Sequence, residues 1–331
     1  MLITDYAGPI LLAALVLDAF LGEPNWLWRR LPHPVVLMGR LIAATDTRFN
    51  HACDSDWIRR ALGVIALVCW TAAAIGLGLL IAWLLSAHTA LIIFEVTVVA
   101  ILLAQRSLYD HVDAVRCALD RAGLAAARME VAKIVGRNPE TLDTAAVCRA
   151  SIESTAENFS DGVVAPAFWY FIAGLPGLLA YKMINTADSM VGHRTERHQA
   201  FGWAAARLDD LVNLLPARLS AAYLTIAAPC IGFSGLGSAK SVCRDARKHR
   251  SPNAGWPEAA MAGALGLALA GPRIYGTAKV ADAWMGGGGR QDATSDDIKN
   301  ALKLMVAASA VMALNIVLVY VFTACVLAGS G

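Results

Sequence analysis

The sequence of 331 residues carries a formal net charge of +2 and is 57% hydrophobic and only 16% charged, with a mean hydropathy of +0.53. A soluble domain usually has about 25% charged residues, so the deficit indicates a lipid bilayer as the solvent for much of the chain. The near-neutral charge argues against a nucleic-acid partner, which is usually bound by a basic domain face. The seven cysteines form no C-x-x-C pair, and their odd number argues against a complete disulfide framework.

The first apolar block covers Ala7–Leu21. It lacks the basic n-region and the small-residue cleavage site of a signal peptide, so we predict a retained helix. Residues 22–60 follow with six arginines, and the positive-inside rule assigns this segment to the cytoplasm. The apolar blocks 61–87 and 90–104 then predict a helical hairpin whose tip faces away from the cytoplasm.

Glu95 lies inside the second helix of this predicted hairpin. Ionisable side chains within a bilayer are costly, so such a carboxylate is a functional candidate. The alternative is a carboxylate near a helix end that reaches water or a neighbouring helix.

Residues 105–160 are polar, with apolar residues near helical spacing, which predicts a cytoplasmic helical section and not a span. The block 163–181 is about long enough to cross the bilayer but contains Pro166, Gly174 and Pro176. A broken helix at membrane depth must be buried in protein or line a cavity. Since the next segment is again basic and therefore also cytoplasmic, we predict a re-entrant or tilted hairpin.

The last third of the chain begins with an apolar stretch at 219–237, followed by a basic run at 240–250. The four glycines at 286–289 predict a linker or a tight turn, and since no GK[ST] follows they are not a Walker A loop. Thr294 and the residues after it open the last helix with N-cap chemistry. That helix is predicted to span the bilayer from 304 to 327.

Together these elements predict an all-α polytopic membrane protein with about four to six membrane-embedded helices, some of them broken or re-entrant. Residues 105–160 and 182–210 are predicted to be cytoplasmic, interfacial helical sections. We expect residues 1–331 to form a single integral-membrane domain.

Four polar islands border the apolar blocks. The first, residues 17–42, holds Asp18 and Glu23 on either side of a glycine turn and His33 between two prolines. Proline stiffens the backbone and disfavours helix, so we predict that His33 is held in a fixed place at the membrane surface. The alternative is an interfacial loop anchored by its tryptophans.

The second island, residues 149–170, spaces Glu153, Glu157 and Asp161 four residues apart. If the segment is helical, the carboxylates share one face, where like charges repel unless a cation lies between them. With Asn158 they supply hard oxygen donors that suit Mg²⁺, which often binds one or two carboxylates plus substrate phosphates. The alternative is a solvated acidic face.

The third island, residues 181–221, mixes carboxylates with basic and amide side chains. Carboxylates for a metal ion beside Arg and Lys for phosphate are a combination that phosphoryl chemistry needs. The alternative is a salt-bridged pair of interfacial helices. The polar residues are Lys182, Asn185, Asp188, His193, Arg194, Arg197, His198, Arg207, Asp209, Asp210, Asn213 and Arg218.

The fourth island, residues 244–276, has Asn253 in a turn between prolines and Glu258 at the start of a small-residue helix. Small residues allow close helix packing in lipid, which accounts for most of this segment, and Asn253 and Glu258 are the exceptions. The chain contains no G-x-S-x-G elbow, no H-E-x-x-H and no G-x-G-x-x-G after a strand, so these common catalytic and dinucleotide-binding motifs are absent.

Segments of these islands carry a resemblance to a known family: LDAFLGEPNWLWRRLPHPVVLMGRLI, SIESTAENFSDGVVAPAFWY, YKMINTADSMVGHRTERHQAFGWAAARLDDLVNLLPARLSA and SPNAGWPEAAMAGALGLALAGP. The sequence closely resembles adenosylcobinamide-phosphate synthase, the CobD/CbiB family of cobalamin biosynthesis. The tail GGGGRQDATSDDIKNAL is also similar to the family's closing motif, so the resemblance spans nearly the whole chain. The longer WLWRR insert before LPHP is the main local departure.

The resemblance implies a carbon–nitrogen ligase, which would make this a catalytic domain. A propionate carboxyl of adenosylcobyric acid would be condensed with (R)-1-aminopropan-2-ol or its O-phosphate, giving adenosylcobinamide or its phosphate. ATP and Mg²⁺ are the expected co-reactants, and the adenosylcorrinoid is a substrate and not a cofactor. The expected location is the bacterial cytoplasmic (inner) membrane, with the active site on the cytoplasmic side and other membrane-associated cobalamin enzymes as partners.

The residues suggest a division of labour for such a reaction, since an acyl phosphate formed from ATP can be attacked by an amine. Glu153, Glu157 and Asp161, with Asp188 or Asp209, would hold Mg²⁺–ATP, and a histidine would be the base because it titrates near neutral pH. The candidate catalytic residues are His33, Glu157, Asp161, Asp188 and His193. The candidate substrate- and phosphate-binding residues are Lys182, Asn185, Arg194, Arg197, Arg207 and Asn253. The candidate metal ligands are Glu153, Glu157, Asp161 and Asp209.

Two other classes of protein stay open. A transporter for a corrinoid or an amino-alcohol would explain the broken helix, but most charges lie at the interface and no matching pair of broken segments appears in two halves. A non-catalytic membrane sensor or scaffold would not need such dense acidic, basic and histidine islands.

Overall fold

The computed structural model describes residues 6–22, 28–86, 91–135, 139–275, 278–280 and 282–329. These residues are predominantly helical with very little strand, which confirms the predicted all-α class. Glu23 and most of the tip of the predicted hairpin, at 87–90, lie outside the described residues.

The helices follow one another along the chain with short connections. In chain order they are α1 (Ala7–Leu21), α2 (Pro34–Phe49), α3 (Asp56–Leu85), α4 (Ile92–Leu102), α5 (Gln105–Ala122), α6 (Leu124–Val131), α7 (Thr144–Phe159), α8 (Ala165–Val191), α9 (Trp203–Val212), α10 (Leu214–Cys230), α11 (Gly235–Asp245), α12 (Gly255–Leu265) and α13 (Ser295–Gly329). A π-helical turn, Ser160–Val164, joins α7 to α8, and a 3₁₀ turn, Ala246–Lys248, follows α11.

Two small antiparallel ribbons interrupt the helices between α12 and α13. Strand β1 (Leu269–Ala270) pairs with β4 (Trp284–Met285), with Leu269 opposite Met285. Strand β2 (Arg273–Tyr275) pairs with β3 (Ala278–Val280). No strand is predicted from the sequence in this Ala- and Gly-rich segment.

Within the described ranges, the segments long and apolar enough to cross a membrane are Asp56–Leu85, Ile92–Ala122, Thr144–Val191 and Ser295–Val326. Helices α9 and α10 form a pair bent by 45°, which adds a fifth crossing if the pair is one broken span. This count confirms the predicted number of membrane-embedded helices.

Helices α3 and α13 carry large exposed apolar side chains, as expected of helices that face lipid. Ile65 and Leu80 on α3, and Leu318 and Phe322 on α13, are each more than half exposed. Large exposed apolar patches are rare on soluble proteins and mark a surface that something else covers. Lipid is the cover expected for helices of this length and composition.

Contacts divide the chain into two compact units. Unit 1 consists of Met1–Ala104 and Ala165–Asn213, and unit 2 of Gln105–Val164 and Leu214–Gly331. Unit 1 therefore contains α1 to α4, α8 and α9, and unit 2 contains the remaining helices and both ribbons.

The predicted broken helix in unit 1 is confirmed. Within α8, Gly174 has φ 62° and ψ −154°, a non-helical conformation, and Pro176 follows two residues later. Gly78 of α3 packs directly on this break, since a Cβ added to Gly78 would lie 2.6 Å from Pro176 Cα. Close packing by glycine lets the interrupted backbone be enclosed by protein, as a bilayer requires.

Unit 2 is organised by a close helix crossing and by an anchored glycine loop. Helices α11 and α12 meet at glycine, since a Cβ added to Gly237 would lie 2.5 Å from Gly263 O. This bears out the small-residue packing expected for α12.

Along the chain, α13 begins where Thr294 N donates to Asp297 Oδ2 (2.8 Å), which is the expected capping chemistry.

The glycines at 286–289 form a tight turn held by Asp245. The backbone N–H groups of Gly286 and Gly287 each donate to Asp245 Oδ2 at 3.1 Å, and the side chains of Arg244 and Lys248 also donate to this carboxylate. Burial alone would raise the pKa of Asp245. The donors outweigh burial and lower this pKa to about 2.

We predict that Gly78→Ala lowers the free energy of unfolding by about 1–3 kcal/mol, because the new methyl group overpacks the α3–α8 crossing. Gly76→Ala is the matched control, since a Cβ at Gly76 meets nothing within 4 Å and alanine favours helix. The thermal midpoint of purified protein in detergent should fall for the first variant and stay level or rise for the second. Equal midpoints for the two variants would contradict the packing described for Gly78.

We predict that Asp245→Asn lowers the free energy of unfolding at pH 7 by about 2 kcal/mol, because charged hydrogen bonds are lost. A carboxyl with a depressed native pKa stabilises the fold above its unfolded pKa of about 4. The advantage of the wild type over Asp245→Asn should therefore shrink as the pH falls from about 4 to about 2.

Thermal midpoints measured across this pH range test the prediction, with Asp292→Asn as control because Asp292 is exposed. A constant difference between wild type and Asp245→Asn at every pH would contradict it.

Candidate functional site

A buried carboxylate held between two amides lies at the centre of the candidate site in unit 1. Asn185 Nδ2 of α8 donates to Asp209 Oδ1 of α9 at 3.2 Å, and Asn213 Nδ2 donates to Asp209 Oδ2 at 3.0 Å. The Tyr181 hydroxyl in turn donates to Asn213 Oδ1 at 3.0 Å. Helical spacing of three or four residues brings Tyr181 and Asn185, and Asp209 and Asn213, to the same faces of their helices.

A second carboxylate lies beside the first. Asp188, one turn after Asn185, is close enough to act electrostatically on Asp209. Hydrogen bonds from the two amides offset part of the cost of burying Asp209, but two carboxylates of like charge remain together. We call Tyr181, Asn185, Asp188, Asp209 and Asn213 the polar cluster.

Basic residues predicted to bind phosphate lie on α8 and α9 and in the loop between these helices. Lys182 is buried on α8, one turn before Asn185. Arg194 is exposed and acts electrostatically on Asp210. Arg207 pairs with Asp210 at 3.2 Å and is half-exposed.

The segment 192–202 after α8 is fixed to α2 by an ion pair. The Arg197 guanidinium donates to Asp46 Oδ2 through Nη2 at 2.7 Å and through Nε at 3.1 Å. His198 Nε2 lies 3.5 Å from the same oxygen. In this structure Arg197 holds the loop through Asp46, and its phosphate-binding role, which would require it to leave Asp46, stays a prediction.

Two further side chains complete the attachment of the loop. Asn50 Nδ2 donates both to Asp46 Oδ1 at 2.7 Å and to Arg197 O at 2.9 Å. Arg59 is buried and donates from Nε to Asn50 Oδ1 at 2.8 Å and from Nη2 to Glu196 O at 3.2 Å, with a further bond to Arg197 O. We call Asp46, Asn50, Arg59 and Arg197 the loop anchor.

The electrostatics of the loop anchor favour an ionised Asp46. Burial by itself would raise the pKa of this carboxyl. The hydrogen bonds from Asn50 and Arg197 outweigh burial and hold the pKa of Asp46 below its ordinary value.

His33 caps a helix in unit 1. Its Nδ1 accepts from Val35 N at 3.2 Å at the start of α2, and its Nε2 donates to Ile101 O at 3.2 Å. This pattern assigns the proton to Nε2. Its predicted role as a base would require His33 to give up one of these contacts. His193, by contrast, is exposed at the start of the loop after α8.

The predicted acidic face in unit 2 is divided between buried and accessible residues. Glu153 is buried, and its Oε1 accepts from Ala270 N at 2.8 Å, which ties α7 to β1. Glu157 is exposed and Asp161 is half-buried. Because Asp161 lies in the π-helical turn, the regular i,i+4 face predicted from the sequence does not continue through it.

Asn253 is buried in unit 2 beside an arginine that the sequence did not single out as a ligand. Asn253 Oδ1 accepts from Arg218 Nη1 at 2.8 Å, and the Arg218 guanidinium lies 4.4 Å from the ring centroid of Trp256. This cation–π contact fixes the guanidinium. Asn253 therefore orients Arg218 in addition to any role in binding substrate.

Comparison with known proteins decides the family. The family model described as "CobD/Cbib protein" matches residues 11–305, a range that includes the polar cluster and the loop anchor. The chain belongs to this family. Among similar curated relatives, each named "Cobalamin biosynthesis protein CobD", that of Rhizobium meliloti is 53% identical, with 92% of this chain and 94% of the relative covered.

Other CobD/Cbib relatives are similar over comparable lengths. The Brucella anthropi protein is 49% identical over 92% of this chain and 94% of its own length. The Rhodobacter capsulatus protein is 44% identical over 94% of this chain and 97% of its own length. No solved structure matches this chain.

The metal site predicted for this CobD/Cbib chain does not appear among the described residues as a preformed set of ligands. In the described part of the chain, no three His, Cys, Asp or Glu side chains are grouped to hold a metal ion. The polar cluster offers two carboxylates and two amide side chains instead. That set suits Mg²⁺, which is commonly bound by one or two carboxylates together with substrate phosphates.

The sequence reasoning missed the loop anchor apart from Arg197. Asp46 lies in the last turn of α2 and Asn50, four residues later, is the C-cap of this helix, so their spacing was a usable signal. The partner of these two residues lies about 150 positions later in the chain, and nothing local in either segment indicates the pairing.

We predict that Asp46→Asn lowers the free energy of unfolding by about 2 kcal/mol and exposes the loop, because a charged acceptor with several donors is lost. Limited trypsin digestion in detergent should cut faster at Arg194 and Arg197 in this variant. Asp110→Asn is the control, because Asp110 is exposed on α5 and pairs with Arg106, which is not part of the loop anchor. Cleavage at the wild-type rate in Asp46→Asn would contradict the anchoring role.

Proposed function

We propose that this chain acts in cobalamin biosynthesis by joining a propionate carboxyl of adenosylcobyric acid to (R)-1-aminopropan-2-ol or its O-phosphate. Membership of the CobD/Cbib family and relatives named cobalamin biosynthesis proteins that match over more than nine-tenths of the chain support the pathway. The resemblance of the sequence motifs to those of adenosylcobinamide-phosphate synthase supports the amide-forming step and its use of ATP and Mg²⁺.

The observation that carries the proposal is the buried Asp209 between Asn185 and Asn213, with Asp188 at its side. Two neighbouring carboxylates repel each other. A divalent cation would relieve this repulsion, and the phosphates of a nucleotide would complete its coordination. In this proposal the polar cluster therefore binds Mg²⁺–ATP.

The proposed reaction has two balanced steps. The propionate carboxylate attacks the γ-phosphorus of ATP, the bond to the ADP oxygen breaks, and an acyl phosphate and ADP result. The amine nitrogen then attacks the acyl carbon, the carbon–oxygen bond to phosphate breaks, and the amide, inorganic phosphate and a proton result. Phosphorylation is needed because a carboxylate does not condense with an amine spontaneously in water.

The chain's own residues serve these steps as follows. Arg194 and Lys182 neutralise phosphate charge, for which a positive group close to the developing charge is effective. His193 is the better placed of the two candidate bases, since it is exposed and near the end of α8, whereas both ring nitrogens of His33 are engaged. Glu157 and Asp161 stay predicted site residues.

The proposed location is the bacterial cytoplasmic membrane. The basic segments between the apolar helices support an active site on the cytoplasmic side, because Lys and Arg accumulate in cytoplasmic loops. Other membrane-associated cobalamin enzymes are expected partners, and no nucleic acid is involved.

We predict that Asp209→Asn lowers the rate of amide formation by at least about 100-fold, because the charge that holds the metal–nucleotide complex is lost while the shape is kept. Purified protein should be incubated with adenosylcobyric acid, each candidate amine and Mg²⁺–ATP. Mass spectrometry would follow the corrinoid amide and ADP.

Asp110→Asn is the control, since Asp110 is exposed on α5 and pairs only locally with Arg106. Wild-type protein that forms no amide with either amine would overturn the proposed activity. Full activity of a folded Asp209→Asn variant would remove the polar cluster from the site.

A further inference from the structure

Unit 1 contains a partly open cavity of about 770 Å³. This volume lies within the range of about 300–1,000 Å³ that is usual for small-molecule sites. Its walls come from several helices of unit 1, including Leu79 of α3, Trp169 of α8 and the break at Gly174 and Pro176. The interrupted backbone of α8 therefore lines a cavity, which is where such backbone is tolerated at membrane depth.

One carboxylate lies on the wall of this mostly apolar cavity. Glu95 is in the first turn of α4 and is among the lining residues. Its Oε1 accepts from the hydroxyl of Tyr170 at 2.7 Å, and Tyr170 is fully buried. Tyr170 thus fixes the position of the carboxylate from behind the cavity wall.

The charge of Glu95 selects among possible occupants. In the part of the chain that the structure describes, Tyr170 is the polar partner of Glu95 and no ion pair neutralises its charge. An anionic ligand would be repelled, and a neutral one would leave the carboxylate without a counter-charge. A cation gains most from a carboxylate in such surroundings, where electrostatic interactions are strong.

We propose that this cavity binds an amphiphilic organic cation, namely a protonated primary amine with an apolar body. The ammonium group lies against Glu95 and the body fills the apolar volume beside Leu79 and Trp169. The ligand class follows from charge complementarity at Glu95 and from the apolar remainder of the wall. The site goes beyond the proposed function, since neither Glu95 nor Tyr170 belongs to the polar cluster, although Tyr181 of that cluster also lines the cavity.

Photoaffinity labelling in detergent tests this site without interference from partitioning into micelles. The probes are an eight-carbon primary amine carrying an aliphatic diazirine and the matched alcohol. Proteolytic peptides analysed by mass spectrometry locate the label. We expect the amine to label peptides that line the cavity at least about ten times more than the alcohol does, and unlabelled octylamine to compete.

Variants connect the selectivity to the carboxylate. Glu95→Gln should reduce amine labelling about tenfold and leave alcohol labelling unchanged, and Tyr170→Phe should reduce it by a smaller factor. Thr97→Val is the control on the same helix, because the Thr97 hydroxyl donates within that helix, to the backbone oxygen of Ile93. Size-exclusion profiles and thermal midpoints check the folding of each variant.

Equal labelling of the wild type by amine and alcohol would overturn the proposal and identify an unselective pocket for apolar chains. Undiminished amine labelling of a folded Glu95→Gln variant would overturn it as well. If Glu95→Gln does not fold, two other results decide the question. They are the ratio of amine labelling to alcohol labelling in the wild type and the reduction of amine labelling in Tyr170→Phe.

Discussion

The interruption of α8 at Gly174 is the constraint on which unit 1 depends. A break in a membrane helix frees backbone groups that lipid cannot satisfy, so protein must surround it, and Gly78 of α3 makes that approach possible. The same break lines the mostly apolar cavity of unit 1. Beyond it, α8 continues to Val191 and carries Asn185 and Asp188 to the face that meets α9.

Much of this architecture could be predicted because its signals are local. Proline and glycine inside the apolar block 163–181 indicated a broken helix, and Thr294 with the acids after it indicated the start of α13. Apolar blocks of spanning length gave the number of membrane helices. The short ribbons around β1 and β4 were not predictable, because two-residue strands leave no periodic pattern and depend on contacts such as that of Ala270 N with Glu153.

Some features of the candidate site could likewise be predicted from the sequence, and others could not. The third polar island contained Asn185, Asp188 and Asp209 as candidates because of their residue types. The structure brings them together across α8 and α9, a pairing that the sequence does not indicate. The contact of His33 Nε2 with Ile101 O and the ion pair of Arg197 with Asp46 join residues about 70 and 150 positions apart in the chain. A sequence read alone shows which side chains are polar and does not show which of them are already satisfied.

The central claim is that the polar cluster binds a divalent metal together with a nucleotide. Electron paramagnetic resonance of Mn²⁺ in place of Mg²⁺, with a non-hydrolysable ATP analogue, measures this binding directly. Wild-type protein should bind Mn²⁺ in an analogue-dependent manner, and Asp188→Asn and Asp209→Asn should each weaken that binding at least about tenfold, or about 1.4 kcal/mol. Wild-type affinity for Mn²⁺ and the analogue in both folded variants would contradict the claim.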